Sequence, residues 1–411
     1  MINLMESIDL EDPAFYAADP HAAYRQLRAQ GNVFWYEPRH VWAVLGHRDV
    51  STILRDSRTF ISGKGCFLSD AGAGRSTAFA GMFSDSNTVL PVTDPPRHDE
   101  LRRSIGRMFT PKRVEQLGHG IKQACDELIF NIEPSVPFDF VEKIASVLPL
   151  RVGALVLGIS PSDMADIEGW IETVDSAVSD VVEPGSLADQ IEKVRSNLQA
   201  FFARQLDDKR AAPRDDLLTF LVSSENVEKY GITPNIAISF AAQIAVGGIS
   251  TTRALLSGAI QCLCQYPTER MKLVEDRSLV PSAIEETLRW KTPGGRGFLR
   301  TASCDAHLGQ HHIRAGDQLY VMLDAANRDP QAFAHPEVFD IACRRDNGNL
   351  AFGLGVHACI GAPLARVEAS VLLTSLIERF TDWQVVGGER TWSAFRNGWA
   401  SLLTRFDGRQ L

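Results

Sequence analysis

Between Phe352 and Gly361 the chain reads Phe-Gly-Leu-Gly-Val-His-Ala-Cys-Ile-Gly, a glycine-cut loop that carries one cysteine, Cys359. A helical pattern follows at once, with Pro363 near its first turn and Leu364, Val367, Leu372, Leu373 and Leu376 at helical spacing. A cysteine at that point meets unpaired backbone N–H groups and the positive end of the helix dipole. Both favour a thiolate, so the pattern predicts a lowered thiol pKa and an electron-rich ligand for a metal. Phe352 opens the loop, and Gly353, Gly355 and Gly361 let its backbone turn tightly and approach a flat macrocycle without Cβ clashes. His357, two residues before the sulfur, could hydrogen-bond a carboxylate on the rim of such a ring. Two other readings of these residues stay open. Gly353, Gly355 and Ala358 could form the glycine turn of a dinucleotide fold, but Asn347, Gly348 and Asn349 stand where a buried strand should be, and no acid lies between Glu368 and Glu378 to hold a ribose hydroxyl. Cys359 could also be a buried structural cysteine.

The same residues resemble the haem-binding signature of the cytochrome P-450 family, F-G-x-G-x-H-x-C-x-G, at every specified position. A second family element, E-x-x-R, is matched by Glu286-Thr-Leu-Arg289, whose spacing puts both charges on one helix face. Such pairs are ordinarily solvated and weak. In this order before the cysteine loop, the pair resembles the buried ion pair that braces the proximal side in the family. Ala325–Pro330 and His335–Asp340 resemble the family's meander. The resemblance implies a haem b cofactor with Cys359 as axial ligand to the iron.

Propionate anchors are implied in the same way. Asp94-Pro-Pro-Arg-His98-Asp-Glu-Leu-Arg102 resembles the family's D-P-P-x-H-x-x-x-R, and His98 and Arg102, one helical turn apart, can address one carboxylate. Arg300 resembles the arginine that reaches the other propionate, and His357 completes the set of donors.

A long helix is predicted from the cap Thr233-Pro234 to Tyr266-Pro267, enough at ~1.5 Å per residue to cross a whole domain. Its centre, Ala245-Val-Gly-Gly-Ile-Ser-Thr-Thr252, carries two adjacent glycines that each cost about 1 kcal/mol relative to alanine in a helix interior. Paired glycines could merely permit close helix packing. The family's A/G-G-x-D/E-T segment is matched at Gly247, Gly248 and Thr251, which implies a distal groove for dioxygen opened by a local helix distortion. Ser250 stands where the family has an acid. A serine can hold a water and pass a proton but cannot supply one by ionising near neutral pH. Either Ser250 with Thr251 and ordered water suffices, the reading we favour, or another acid substitutes, or the enzyme prefers peroxide; the threonine argues against a dedicated peroxygenase.

The elements that must position these groups read as mainly α with small β-sheets. A helix is expected near Ala22 to Gln30, a hairpin over Val33 to Leu45, a short helix to about Arg55, and helices through His98 to Tyr266. Strands return near Phe298 to Ser303, Gln318 to Leu323 and the C-terminus. From Asp56 to Pro96 a Gly/Ser-rich segment holds Phe67, Phe79, Met82 and Phe83, the pattern of a binding lid or of a loosely ordered surface loop. The 411 residues show no linker or repeat, so 1–411 is expected to form a single domain of the cytochrome P-450 fold.

Seven scattered cysteines do not form a disulfide framework, and the first thirty residues or so lack an apolar run near the ~20 needed to span a bilayer, so a cytoplasmic protein free of membrane is expected. The net charge is −9, yet Arg97, Arg102, Arg103, Arg107, Lys112 and Arg113 cluster with only Asp99 and Glu100 against them. An acidic ferredoxin docking on the Cys359 side is the partner the resemblance implies, although an ordinary solvated helix face would read the same; nucleic acid is not expected.

The resulting expectation is a monomeric haem-thiolate monooxygenase. It would insert one oxygen atom of O2 into a C–H bond of a small hydrophobic or aromatic substrate, by hydroxylation or oxidative O-dealkylation, with electrons that come ultimately from NAD(P)H. Expected pocket walls are Phe67, Phe79, Phe83, Val246, Gly247, Phe298 and Phe395. A peroxide-using haem enzyme and a non-catalytic haem protein that binds gas are the alternatives.

Overall fold

A computed structural model of the chain describes residues 8–17, 19–74, 81, 83, 88–179, 184–294, 297–343, 346–392 and 397–408. Phe79, Met82, Phe395, Arg344 and Arg345 lie outside the described residues.

The helix Pro234–Gln265 runs through the main core, and its ends follow from local chemistry. The Thr233 hydroxyl accepts the Ile236 N–H and Pro234 occupies the first turn, while Pro267 bars continuation beyond Tyr266. Packed on it are Val147–Leu157, Pro161–Ser179, Pro184–Ala211, Val280–Lys291 and Ala362–Arg379. The first helix with a cap hydrogen bond is Pro20–Arg28, about two residues earlier than its apolar spacing indicates, because the Asp19 side chain accepts the His21 N–H and Pro20 starts the turn.

A five-stranded sheet lies beside this helical body in the order Val33–Tyr36, Val41–Val44, Gln318–Met322, Gly297–Ala302, Phe60–Ile61. Alternation divides its side chains between two cores: Tyr320 and Met322 join Val41, Ala43 and Leu299 on one face, while Leu319 and Val321 join Val44, Phe60 and Ala302 on the other. The C-terminal hairpin Asp382–Trp392 and Asn397–Asp407 forms a second sheet with Phe138–Asp139. Among the described residues no single helix is long and apolar enough to cross a membrane.

The described parts of the 56–96 segment are pinned, which excludes a loose surface loop there. Leu299 N–H donates to Cys66 O at 2.8 Å, and the Asp70 carboxylate accepts from the N–H groups of Cys66 and Phe67. At the other end Gln243 of the central helix bonds both Leu90 N–H and Thr88 O at 2.9 Å.

One core carboxyl stands out. Glu368 is 3% exposed in the helix Ala362–Arg379, its Oε2 has no hydrogen-bond partner among the described residues, and burial pushes its carboxyl from 4.5 up to about 8. Between those values the folded chain keeps a proton that the unfolded chain releases. The stability this confers is fully present below pH 4.5 and is lost as pH rises through about 8. Glu368→Gln cannot titrate, so its unfolding free energy relative to wild type is expected to rise from pH 5 to pH 8 by up to about 4 kcal/mol, at ~1.4 kcal/mol per pH unit. Urea midpoints at the two pH values check this, and parallel profiles would show that Glu368 does not bind the extra proton.

Candidate active site

Cys359 precedes the helix Ala362–Arg379 and is held by its own loop. Cys359 N–H donates to Phe352 O at 2.8 Å, Ala358 N–H to Gly355 O at 3.1 Å, and Gly353 N–H to Leu350 O at 2.8 Å. Gly353 and Gly355 have φ of +66° and +71°, in the left-handed region. At Gly355 the backbone must also pass close to a neighbour, since an added Cβ would lie 2.4 Å from Leu54 O. Gly355→Ala is therefore expected to destabilise the fold by at least about 1–2 kcal/mol, read as a lower urea midpoint. Gly361 differs from the sequence expectation: its φ is −81°, which any residue adopts, and an added Cβ would sit 3.9 Å from Cys359 Sγ, an ordinary van der Waals contact.

The N–H groups of Gly361 and Ala362 point at the Cys359 sulfur, and the guanidinium charges of Arg102 and Arg366 lie near it. These favour a thiolate, as the sequence predicts, yet burial outweighs them and the thiol pKa is raised, which corrects that expectation. By surface area the residue is exposed. Protein nevertheless surrounds the sulfur closely enough for burial to dominate its electrostatics. A metal ion's charge reverses the balance, because a coordinating thiol is deprotonated outright.

Beside the cysteine loop four basic residues from three parts of the chain converge. The ring of His357 lies 4.3 Å from that of His98, and its Nε2 is 3.2 Å from Ser62 Oγ. Burial, with the charges of Arg300, His98 and Arg102, drives the His357 pKa down to about 2. His98, 1% exposed, contacts Asp99 through Nδ1 at 3.0 Å, and its buried Nε2 has no partner among the described residues. Burial also lowers the His98 and Arg300 pKa values. Arg300, 5% exposed, donates to Leu299 O at 2.7 Å. Asp94 is nearby, but its carboxylate is engaged by the N–H groups of Ser62 and Gly63. A buried set of donors with an orphaned imidazole nitrogen fits the carboxylates of a haem. Ser62 escaped sequence reasoning because nothing marks a serine as the partner of a histidine 295 positions away.

Behind the loop, Glu286 and Arg289 are 3% and 1% exposed and pair through two 2.8 Å hydrogen bonds, so this E-x-x-R is a buried fork and not a solvated pair. Arg366 donates to Glu285 at 2.6 Å and lies over the Phe352 ring at 4.6 Å.

On the central helix, Gly247, Gly248 and Thr251 are exposed while Ala245, Val246, Ile249 and Thr252 around them are buried. An added Cβ at Gly247 or Gly248 would meet nothing within 4 Å, so these glycines open space and do not seat a packed helix. The helix is continuous through them, without the expected distortion; the Thr251 hydroxyl donates to Gly247 O at 2.8 Å along the regular turn. Ser250 and Val246 face elsewhere, into a small recess against Pro161–Ser179. Among the expected pocket walls, the Phe67 and Phe298 rings come within 6.2 Å of each other, whereas Phe83 and Val246 belong to the buried core.

The cytochrome P450 family model matches residues 185–405. The chain is also 32% identical over 385 residues to the cytochrome P450 monooxygenase PikC of Streptomyces venezuelae, covering 92% of this chain and 88% of that one. The chain belongs to the cytochrome P450 family. It is 32% identical over 349 residues to an erythromycin C-12 hydroxylase of Saccharopolyspora erythraea, covering 84% and 83% of the two chains. A P450 of Bacillus megaterium crystallised with testosterone superposes with a TM-score of 0.82 at 29% identity, over 94% of this chain and 97% of that one. With such relatives this P450 is a haem-dependent oxidoreductase of the monooxygenase type.

The basic patch needs correction. Arg107 pairs with Glu225 at 3.2 Å and Arg113 with Asp215 at 2.7 Å, Arg97 pairs with Glu100, and Arg102 turns inward toward Cys359. Distant acids thus neutralise much of what the local sequence leaves positive.

Proposed function

We propose that this P450 is a single-domain, monomeric, cytoplasmic enzyme that hydroxylates or O-dealkylates a small hydrophobic molecule, using electrons from NAD(P)H by way of a ferredoxin-type donor. The observation that carries the reading is the convergence of Cys359 Sγ, under the N–H groups of Gly361 and Ala362, with the buried donors His98, Arg102, Arg300 and His357. Cys359 would be the metal ligand, and those four would hold the two propionates of a haem. Phe352, Gly353 and Gly361 shape the proximal contact. Haem bound there would supply the activation of dioxygen for insertion into a C–H bond. Gly247 and Gly248 keep the facing side clear, and the Thr251 hydroxyl, with Gly247 O at 2.8 Å, is set to hold a proton at Oγ1. Phe67 and Phe298 form an apolar wall, and one structural relative holds the steroid testosterone, which supports a hydrophobic substrate. Arg103 and Lys112, both exposed, support docking of an acidic carrier beside the segment that sends Arg102 toward Cys359.

Ser250, in place of an acid, is the one feature that favours peroxide as oxidant. Compounds that shift the Soret band on binding should be turned over with dioxygen and a ferredoxin–reductase pair, then with hydrogen peroxide alone. Faster product formation with the electron chain is the expected result; faster formation with peroxide would overturn the choice of oxidant.

A further inference from the structure

Between two neighbouring strands of the five-stranded sheet, Gly297–Ala302 and Gln318–Met322, the chain inserts a short hairpin in which Ala306–Leu308 pairs with His311–Ile313. Gly309, at φ +57°, and Gln310 form its two-residue loop. A loop of that length makes Leu308 and His311 the hydrogen-bonded pair that closes the ladder. The two kinds of pair alternate, so His307 and His312, directly opposite each other, are a non-hydrogen-bonded pair, the kind whose side chains come closer. Alternation also fixes the face. Leu308 and Ile313 are buried in the core that Leu319 and Val321 share, which turns His307 and His312 to solvent, where both are exposed.

The two imidazole rings lie 5.0 Å apart between centroids, with their planes 35° apart. Two imidazoles sharing one metal ion, each nitrogen ~2.0–2.1 Å from it and the angle at the ion about 90–110°, put their centroids roughly 4.5–5.2 Å apart. The observed separation falls within that span. His312 is also held: its Nε2 lies 3.3 Å from Asp305 Oδ2, and Asp305 Oδ1 accepts the Ala315 N–H at 2.9 Å. That N–H, with the charges of His312 and Arg314 nearby, holds the Asp305 carboxyl below its usual range. A hydrogen donated from Nε2 to this carboxylate leaves the lone pair on His312 Nδ1, the arrangement in which an acid orients a metal-ligating histidine. The His307 ring makes no hydrogen bond among the described residues, so its lone pair is uncommitted. Among the described residues no three histidine, cysteine or carboxylate side chains are grouped to hold a metal ion, so the hairpin offers two ligands and leaves the other positions to water.

We propose that His307 and His312 form a binding site for a divalent transition-metal ion of the copper, nickel and zinc class, with Asp305 orienting His312 and not itself a ligand. Imidazole donors suit these ions, whereas Mg2+ and Ca2+ require oxygen ligands that the ring pair does not supply. Both ligands stand on a tight hairpin joined to the sheet at each end, Ala302 N–H donating to Asp317 O and Gly316 N–H to Ala302 O, each at 2.8 Å. Little ordering is therefore left for the ion to bring about. The site uses none of the residues assigned to the haem, and it stands or falls independently of that reading.

The experiment titrates Ni2+, an ion that does not oxidise thiols, into the purified, untagged holoenzyme and follows the heat of binding. Saturable uptake of one ion per chain at submillimolar Ni2+ is expected, and Mg2+ should give none. His307→Phe and His312→Phe keep a ring on the solvent face but offer no ligand. Each is expected to lower the Ni2+ affinity roughly 10-fold or more, and Asp305→Asn to lower it roughly 10-fold, the usual cost of removing a group that orients a metal ligand. Cys304 is an exposed thiol next to Asp305 in the chain, so Cys304→Ser is titrated as well and should bind Ni2+ as the wild type does. All four variants should keep a near wild-type urea midpoint without Ni2+, because the substituted side chains face solvent. No saturable binding to the wild type, an affinity unchanged in both histidine variants, or a loss in Cys304→Ser equal to theirs would each overturn the site. The second of these would mean adventitious binding among the other histidines of the ten in the chain. Unchanged affinity in Asp305→Asn would overturn the orienting role of that carboxylate.

Discussion

Cys359→Ala protein is expected to fold, to retain some haem, and to lose both the long-wavelength Soret band of the reduced carbon monoxide complex and its reductase-driven turnover. The two losses share a cause. An anionic sulfur at position 359 would donate electron density to a bound haem iron, the source of the shifted band and of the oxygen-activating chemistry the group supplies, whereas alanine offers no ligand at all. Haem retention is not expected to vanish, because the proposed propionate donors His98, Arg102, Arg300 and His357, which lie together, remain. Turnover should fall roughly 100-fold or more, equivalent to about 3 kcal/mol of barrier. Cys359→Ser sharpens the test, since a neutral hydroxyl of similar shape accepts the same N–H groups of Gly361 and Ala362 without the anionic push. A band that survives either substitution would mean that another group holds the iron.

The parts of this site that were legible in the sequence are those whose chemistry is local. The central helix announces its ends by Thr233-Pro234 and Tyr266-Pro267, and the cysteine loop by glycines of which two adopt positive φ. His98 and Arg102 share a face because they lie one turn apart. Where the reading failed, groups from distant segments decided the outcome. Glu225 and Asp215 neutralise the arginines of an apparently basic stretch. Burial by the surrounding fold, which no motif encodes, reverses the direction of the Cys359 shift. Gly247 and Gly248 permit either packing or open space, and only the position of the neighbouring elements decides for space. Glu168 pairs with Arg253 across a helix crossing, a partnership that no local sequence pattern marks.

The same reasoning makes the Glu286–Arg289 fork the place where stability and cofactor binding should fail together. Arg289 is 1% exposed and spends its donors on both oxygens of Glu286 at 2.8 Å, on Asn327 O at 3.1 Å, Pro336 O at 2.9 Å and Val338 O at 3.0 Å. Glu286 Oε1 also accepts Asp340 N–H at 2.9 Å. Arg289→Met should fill much of the volume but strand a buried carboxylate and three carbonyls. Removing one partner of such a pair costs about 3–5 kcal/mol, a large share of the ~5–15 kcal/mol that holds a protein folded. The damage should reach the haem side through Asn327. Its Oδ1 accepts Leu350 N–H at 2.7 Å, and Leu350 O in turn accepts Gly353 N–H, within the loop that ends in Cys359. Lower haem content is therefore expected alongside a lower urea midpoint. Adding Glu286→Leu should recover about 1–3 kcal/mol by removing the stranded charge, a coupling in the range seen for contacting residues, but not all of the loss, because the carbonyls of Asn327, Pro336 and Val338 still lack their donor. Arg289→Met protein within about 1 kcal/mol of wild type, the upper range of a surface ion pair, would show that the fork contributes no more than an exposed one.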